Sequence, residues 1–137
     1  MTYALDTNTV SYFLRGEGNV RYYYDKEILQ SGNCYAIPLA VVYEINRWLQ
    51  YKPDKDKKNF GQEFDALFHN VRDTAEMSHD VWKKAVEIYI ELKSKGKLIG
   101  DADILIASYC VVNNYTLVTR NISDFERIYS LKLVNWH

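Results

Sequence analysis

Short apolar runs of strand character alternate with stretches of helical period along the whole chain, and this alternation most restricts what it can fold into. Tyr3-Ala4-Leu5 ends at the turn-forming Asp6-Thr7-Asn8, and a helix-compatible stretch over residues 9–15 breaks at Gly16-Glu17-Gly18. A second helix is expected over residues 20–30, then the Ser31-Gly32-Asn33 turn and a strand over 34–37, with Pro38 suited to the first turn of a helix over 39–51. Phe60, Phe64, Leu67, Phe68 and Val71 recur at helical spacing, as do Val81, Ala85, Ile88, Tyr89 and Leu92, and residues 74–77 between them read as a short strand. A helix over residues 101–113 leads into a buried-type strand at 116–119, and residues 132–134 supply an edge strand. Parallel strands need crossovers, so the expected class is α/β: a three-layer α/β/α sandwich with a mostly parallel central sheet. At 137 residues the chain fits one domain spanning 1–137.

Charge narrows the function classes. Seventeen Lys and Arg against eighteen Asp and Glu give a net charge of -1, which argues against holding nucleic acid by bulk positive charge. It leaves room for a nuclease whose carboxylates gather cations. Two basic clusters, Lys52, Lys55, Lys57 and Lys58, and Lys83, Lys84, Lys93, Lys95 and Lys97, read first as a solvated turn and a solvated helix face. Cys34 and Cys110 have no Cys or His at ligand spacing and are expected to be buried thiols. No apolar run approaches a membrane span and the N-terminus lacks signal-peptide character, so the expected address is the cytoplasm.

Acidic residues stand where the helical pattern asks for apolar ones. Val41, Ile45 and Trp48 define a stripe whose i+3 position is Glu44, and Asp103 begins the stripe continued by Ile106, Ala107 and Cys110. A buried carboxylate needs a cation, hydrogen bonds or a proton, and neither helix offers an obvious Lys or Arg on that face. Asp6 ends the first strand and Asp124 follows the strand at 116–119, so both belong at the carboxyl edge of the sheet, where ligands bind in folds of this kind. Oxygen-only donors suit a hard cation such as Mg²⁺ or Mn²⁺. Each acid also has a local explanation. Asp6 can cap the following helix, Asp101 is a natural N-cap after Gly100, Asp103 then lies in a first turn, and Ser123 to Glu126 has capping-box spacing around Asp124.

These residues carry a resemblance to PIN-domain ribonucleases, and within them to VapC-type toxins of toxin-antitoxin pairs. Leu5-Asp6-Thr7-Asn8 resembles the family's opening motif and Tyr43-Glu44-Ile45 its second acidic site. Gly100-Asp101-Ala102-Asp103-Ile104-Leu105-Ile106-Ala107 resembles the third, and Thr119-Arg120-Asn121-Ile122-Ser123-Asp124-Phe125 the closing motif. The resemblance implies a single PIN-like domain over residues 1–137. It also implies Mg²⁺ held by Asp6, Glu44 and Asp103, with Asp124 a fourth acid and Mn²⁺ a substitute.

Asn8, Asp101, Thr119 and Asn121 are then expected to orient those carboxylates. The implied reaction is metal-assisted endonucleolytic cleavage of RNA, leaving a 5′-phosphate and a 3′-hydroxyl. The implied partners are a VapB-type antitoxin and a second copy of the chain, with no membrane association. Arg15, Arg47 and Arg120 are candidates for phosphate contact. His69, His79 and His137 share no useful spacing and receive no catalytic role, and the Tyr22-Tyr23-Tyr24 run is expected to pack rather than to stack on bases.

Rival readings fit less well. A haloacid-dehalogenase-type phosphotransferase needs a second Asp where Asn8 stands, and a receiver-like signalling domain needs an adjacent acidic pair after the first strand. A PIN fold that only binds, without catalysis, is the remaining alternative.

Overall fold

The computed structural model describes residues 1–51, 55–71 and 77–137. Among these residues the sheet has four strands, β1 (Thr2–Leu5), β2 (Cys34–Ala36), β3 (Thr116–Val118) and β4 (Lys132–Val134), in the order β2-β1-β3-β4. Every pairing is parallel: Ala4 lies opposite Ala36 on one side and Leu117 on the other, and Leu117 opposite Leu133. The expected class holds, with an all-parallel sheet where a mostly parallel one is expected. β1 and β3 are central, and Ala4, Leu5, Leu117 and Val118 are fully buried, as strands covered on both faces must be.

The helices are α1 (Thr7–Arg15), α2 (Val20–Tyr24), α3 (Leu39–Tyr51), α4 (Lys55–His69), α5 (His79–Ser94), α6 (Asp101–Asn113) and α7 (Ile122–Phe125). Gly16 closes α1 at φ 67°, a left-handed position that favours glycine, and its N–H bonds Phe13 O at 3.2 Å. The single helix expected over residues 20–30 changes character at its middle. Residues Asp25–Gln30 continue at the wider π-helical spacing and bury no residue, so no apolar stripe marks the change of period in the sequence. The strand expected at residues 74–77 falls almost wholly outside the described residues. Met77, which is described, packs on the core without joining the sheet.

The core follows the stripes. Val10 and Leu14 of α1, Val41 and Ile45 of α3, Phe64 and Leu67 of α4, and Val81, Ala85, Ile88 and Leu92 of α5 are buried. Tyr89, expected on the α5 stripe, is instead exposed beside Trp82, Val86 and Ile90, because i+8 from Val81 has rotated past the buried face. α6 is apolar nearly all round and packs against both α5 and α3, with Ile104, Ile106, Ala107, Tyr109 and Cys110 buried. Cys110 is a buried thiol as expected, whereas Cys34 is only half-buried because it opens the edge strand β2. Tyr24 packs edge-on to Phe13 and Tyr35 at 5.0 and 5.4 Å, and Tyr23 lies over Trp136, leaving Tyr22 exposed. Among the described residues, no helix is long and apolar enough to cross a membrane.

This topology creates one special place. From β1 the chain crosses to β2 on one side, and from β3 it crosses to β4 on the other. With right-handed crossovers those connections diverge, opening a crevice at the carboxyl ends of β1 and β3.

Candidate active site

Asp6 stands at that crevice, immediately after β1. It has extended backbone geometry and caps α1, its Oδ1 accepting the Thr9 N–H at 2.7 Å. The helix begins at Thr7, two residues earlier than the sequence signals placed it. Asp6 is only 5% exposed, and the side chains of Thr119 and Thr9 also hydrogen-bond its carboxyl. Burial outweighs those bonds and holds its pKa above the ordinary carboxylate range. Capping and site membership are therefore compatible: one oxygen closes the helix, and the group still faces the crevice.

Glu44 projects from the middle of α3, half-buried, with its Oε1 accepting from Thr7 Oγ1 at 2.6 Å. Arg47 lies one turn on, its Nη2 3.9 Å from Glu44 Oε2. On α3 no Lys or Arg shares the face of Glu44, as expected; Arg47, whose own position faces solvent, reaches back across i,i+3 with its long guanidinium. Asp103, in the first turn of α6, is half-buried. Burial first, and then the charges of Glu44, Asp6 and Asp124, push its pKa up to about 6. Acids from three other segments thus act on one carboxyl.

Asp124 lies in α7, where its Oδ2 accepts from Asn121 Nδ2 at 2.8 Å and its Oδ1 is 3.3 Å from Arg127 Nη2. The capping box expected at Ser123–Glu126 does not form, because α7 starts at Ile122 and places Ser123 inside the helix. Asp101 is not the cap of α6 either. Gly100 occupies that position, and Asp101 is exposed at the rim of an apolar groove with Trp82, Val86, Tyr89 and Leu105, away from the crevice. Asn8 is exposed at a cleft between α1 and α3, while Thr119 and Asn121 touch Asp6 and Asp124 respectively.

That cleft, of about 610 Å³, runs from Glu44 outward past Thr7, Ser11, Arg15, Arg47 and Trp48. Arg15 pairs with Glu17 at 3.0 Å, and Arg120 donates to the hydroxyl of Tyr12. In the basic helix face, Lys84 pairs with Glu87 and Lys95 with Glu91, as a solvated surface does. Lys57 donates to Trp48 O, and Lys52 of the same cluster lies outside the described residues.

Among the described residues no three acidic, His or Cys side chains converge closely enough to chelate an ion as they stand. The donor set is nevertheless made of oxygens alone, and four acids face two guanidinium partners, Arg47 and Arg127. Uncompensated negative charge in a half-buried crevice fits a hard divalent cation.

Three contributors carry no signal in the spacing of the acids. Thr7 holds Glu44, Thr9 holds Asp6, and His137 reaches Thr9, its Nε2 3.1 Å from Thr9 Oγ1. Thr7 is at least visible in the Asp6-Thr7-Asn8 turn. His137 is 128 residues from Thr9, and nothing in the local sequence joins them.

The raised Asp103 carboxyl has a consequence for stability. The folded chain keeps that proton up to about pH 6, whereas an unfolded Asp loses it near 3.8. The folded form binds the extra proton between those values, so this contribution is intact below about pH 4 and lost as pH rises through 6. His137, whose pKa burial lowers, works in the opposite sense, losing its contribution as pH falls. The difference between the parent and Asp103→Asn cancels the His137 contribution, which both proteins share, and reports Asp103 with the acids coupled to it. In chelator, thermal melts of Asp103→Asn are expected to gain on the parent steadily from about pH 4 to pH 7. A gap that narrows over that range would reverse the assigned direction.

Comparison with known proteins finds relatives that share the sequence pattern and the fold. The family profile described as PIN domain matches residues 3–131. A Ribonuclease VapC2 from Rickettsia felis is 36% identical over 137 residues, covering 99% of this chain and 98% of the relative. A Ribonuclease VapC1 from Methanocaldococcus jannaschii is 28% identical over 107 residues, 77% of this chain and 73% of its own. Among solved structures, VapBC2 from Rickettsia felis bound to a DNA fragment from its promoter superposes with a TM-score of 0.85 at 33% identity, covering 100% of both chains. FitAcB from Neisseria gonorrhoeae gives 0.76 at 26% identity, covering 98% of this chain and 99% of its own.

Proposed function

This chain belongs to the PIN-domain family, and we propose that it is a VapC-type endoribonuclease, the toxin of a toxin-antitoxin pair. The observation that carries the reading is the Asp103 carboxyl, raised to about 6 by burial and by Glu44, Asp6 and Asp124 together at the crevice. Sites that gather like charges in this way are candidates for chemistry. The relatives' names supply the reaction class: both are ribonucleases.

In this reading Asp6, Glu44, Asp103 and Asp124 hold Mg²⁺, for which Mn²⁺ substitutes. Bound there, the cation supplies Lewis-acid stabilisation of charge on phosphate oxygens and lowers the pKa of water. The chain's own residues do the positioning. Asp6 is fixed by Thr9 and Thr119, Glu44 by Thr7, and Asp124 by Asn121, so these three carboxylates keep their orientation without help from substrate. Asn8 lines the α1–α3 cleft together with Thr7 and Glu44, whereas Asp101, exposed on the apolar groove beside Trp82 and Leu105, can support Asp103 only through the shared first turn of α6. Arg15 and Arg47 line that cleft, which suits it to the phosphates flanking the scissile bond. No side chain has to act as a nucleophile, because hydrolysis needs only water, an in-line phosphorus and a place for the developing charge.

The single domain spans residues 1–137, the expected compartment is the cytoplasm, and the expected assembly is a homodimer bound by a VapB-type antitoxin. The solved relatives named VapBC are consistent with such a partner.

Purified protein incubated with total cellular RNA is expected to cut it with Mg²⁺ or Mn²⁺ and to stop in EDTA, leaving 5′-phosphate ends when the cuts are mapped by sequencing. Folded protein that binds Mn²⁺ yet leaves every RNA intact would instead favour a PIN fold that only binds.

A further inference from the structure

We propose that His137 is a positioning residue that braces the first turn of α1, and with it Asp6 and Thr7, by donating a hydrogen bond from Nε2 to Thr9 Oγ1. The proposal rests on the functional reading above for its link to metal, but not for the hydrogen bond itself.

The direction of that bond follows from proton counting. A threonine hydroxyl has one proton to give. Thr9 Oγ1 lies 3.0 Å from Val118 O, an acceptor that can only receive, and 3.1 Å from His137 Nε2. Thr9 also hydrogen-bonds the Asp6 carboxyl; a carbonyl and a carboxylate can both only receive, so whichever of them takes the hydroxyl proton, the ring must be the donor. The opposite tautomer would put an N–H on Nδ1, which is buried with no partner among the described residues. The ring is also kept neutral, since burial lowers its pKa more than the nearby Asp6 raises it.

The brace ties together three elements. Thr9 is fully buried, with its hydroxyl on the end of β3 and its N–H on Asp6 Oδ1 at 2.7 Å. Two residues before it, Thr7 donates to Glu44 at 2.6 Å. One helical turn therefore sets two of the four acids, and His137 fixes that turn from outside. The ring is itself held, edge-on to Tyr12 with centroids 4.7 Å apart, and Tyr12 accepts from Arg120. A Cβ on Gly18, at φ +61°, would lie 3.9 Å from the His137 backbone, and the preceding Trp136 is 1% exposed. A side chain held this firmly on one hydroxyl fits an orienting role better than a surface one.

The test compares His137→Gln, whose amide N–H reaches the position of Nε2, with His137→Leu, which fills the space without a donor. The first readout is on the unaltered protein: the nitrogen chemical shifts of the His137 ring, expected to report the Nε2–H tautomer at neutral pH. The second is Mn²⁺ affinity without RNA, expected to fall about 10–100-fold in His137→Leu and to return to within about threefold of the parent in His137→Gln. In RNA cleavage the loss should sit in the Mn²⁺ concentration needed rather than in kcat at saturating Mn²⁺. An Nδ1–H tautomer, or parental Mn²⁺ affinity in His137→Leu, overturns the proposal. A parent that binds no Mn²⁺ overturns the metal reading instead. The tautomer, with the hydrogen-exchange protection of the Thr9 amide in His137→Leu, then decides the brace by itself: unchanged protection overturns it and lost protection supports it.

Discussion

Asp6→Asn is expected to fold, to melt above the parent at neutral pH without metal, and to cleave RNA at least about 100-fold more slowly. The three effects share one cause. Asp6 is 5% exposed and its carboxyl is raised by burial, so at neutral pH the folded chain carries a charge that its surroundings disfavour. The amide has the same shape and no charge. Its oxygen can still accept the Thr9 N–H that closes α1, and Asn is as good an N-cap as Asp. What it cannot do is bind a divalent cation as a carboxylate does. Loss of a residue that merely supports a ligand costs about 10–100-fold, so loss of a ligand itself belongs beyond that range. Melts in chelator and cleavage assays with Mg²⁺, run on the same preparations, check both halves. Full activity would remove Asp6 from the ligand set. A collapsed fold would mean that its cap, not its charge, is what the chain needs.

How far the sequence carried can be judged at individual residues. Glu44 and Asp103 are legible because a charge interrupts a 3.6-residue stripe: Val41 and Ile45, and Ile106, Ala107 and Cys110, are buried as expected, while Trp48, the last of the α3 stripe, is half-buried at the cleft. Asp6 and Asp124 were legible because a parallel sheet brings strand ends together, and β1 and β3 do lie side by side. Where local chemistry alone decides, the boundaries lie a residue or two from where the sequence signals place them: α1 starts at Thr7, Gly100 rather than Asp101 caps α6, and Ser123 falls inside α7. Several polar residues compete for each cap, and only tertiary packing selects one. Hydrogen bonds such as Thr7 to Glu44 and His137 to Thr9 depend on the juxtaposition of distant segments, which no periodicity encodes. The same holds for Arg47, whose stem lets its charge act one turn away from where its Cα points.

Trp136→Ala should be among the most damaging single truncations outside the crevice, lowering stability by about 3–5 kcal/mol. Trp136 is the largest of the fully buried side chains, at 1% exposure. Its ring centroid is 5.0 Å from that of Tyr3 in β1, and it lies nearly parallel to Tyr23 at 6.4 Å, so it joins the central sheet to the segment after α1. Neither neighbour can collapse into the space, Tyr3 because it is fixed in β1 between β2 and β3, and a void of that size forfeits contacts on all its walls. Domains are stable by only about 5–15 kcal/mol, so the loss is a large fraction of the total, and the thermal midpoint should fall by about 10 °C or more. Trp136→Phe keeps an aromatic face towards Tyr3 and should lose well under half as much. Denaturant titrations of the three proteins measure this directly, and a Trp136→Ala variant within about 1 kcal/mol of the parent would show that the site collapses after all. Asp6→Asn and Trp136→Ala should also part in a second respect. Asp6→Asn loses cleavage while its fold is secure, whereas Trp136→Ala, at temperatures where it stays folded, should retain Mg²⁺-dependent cleavage to the extent that His137 keeps its hold on Thr9.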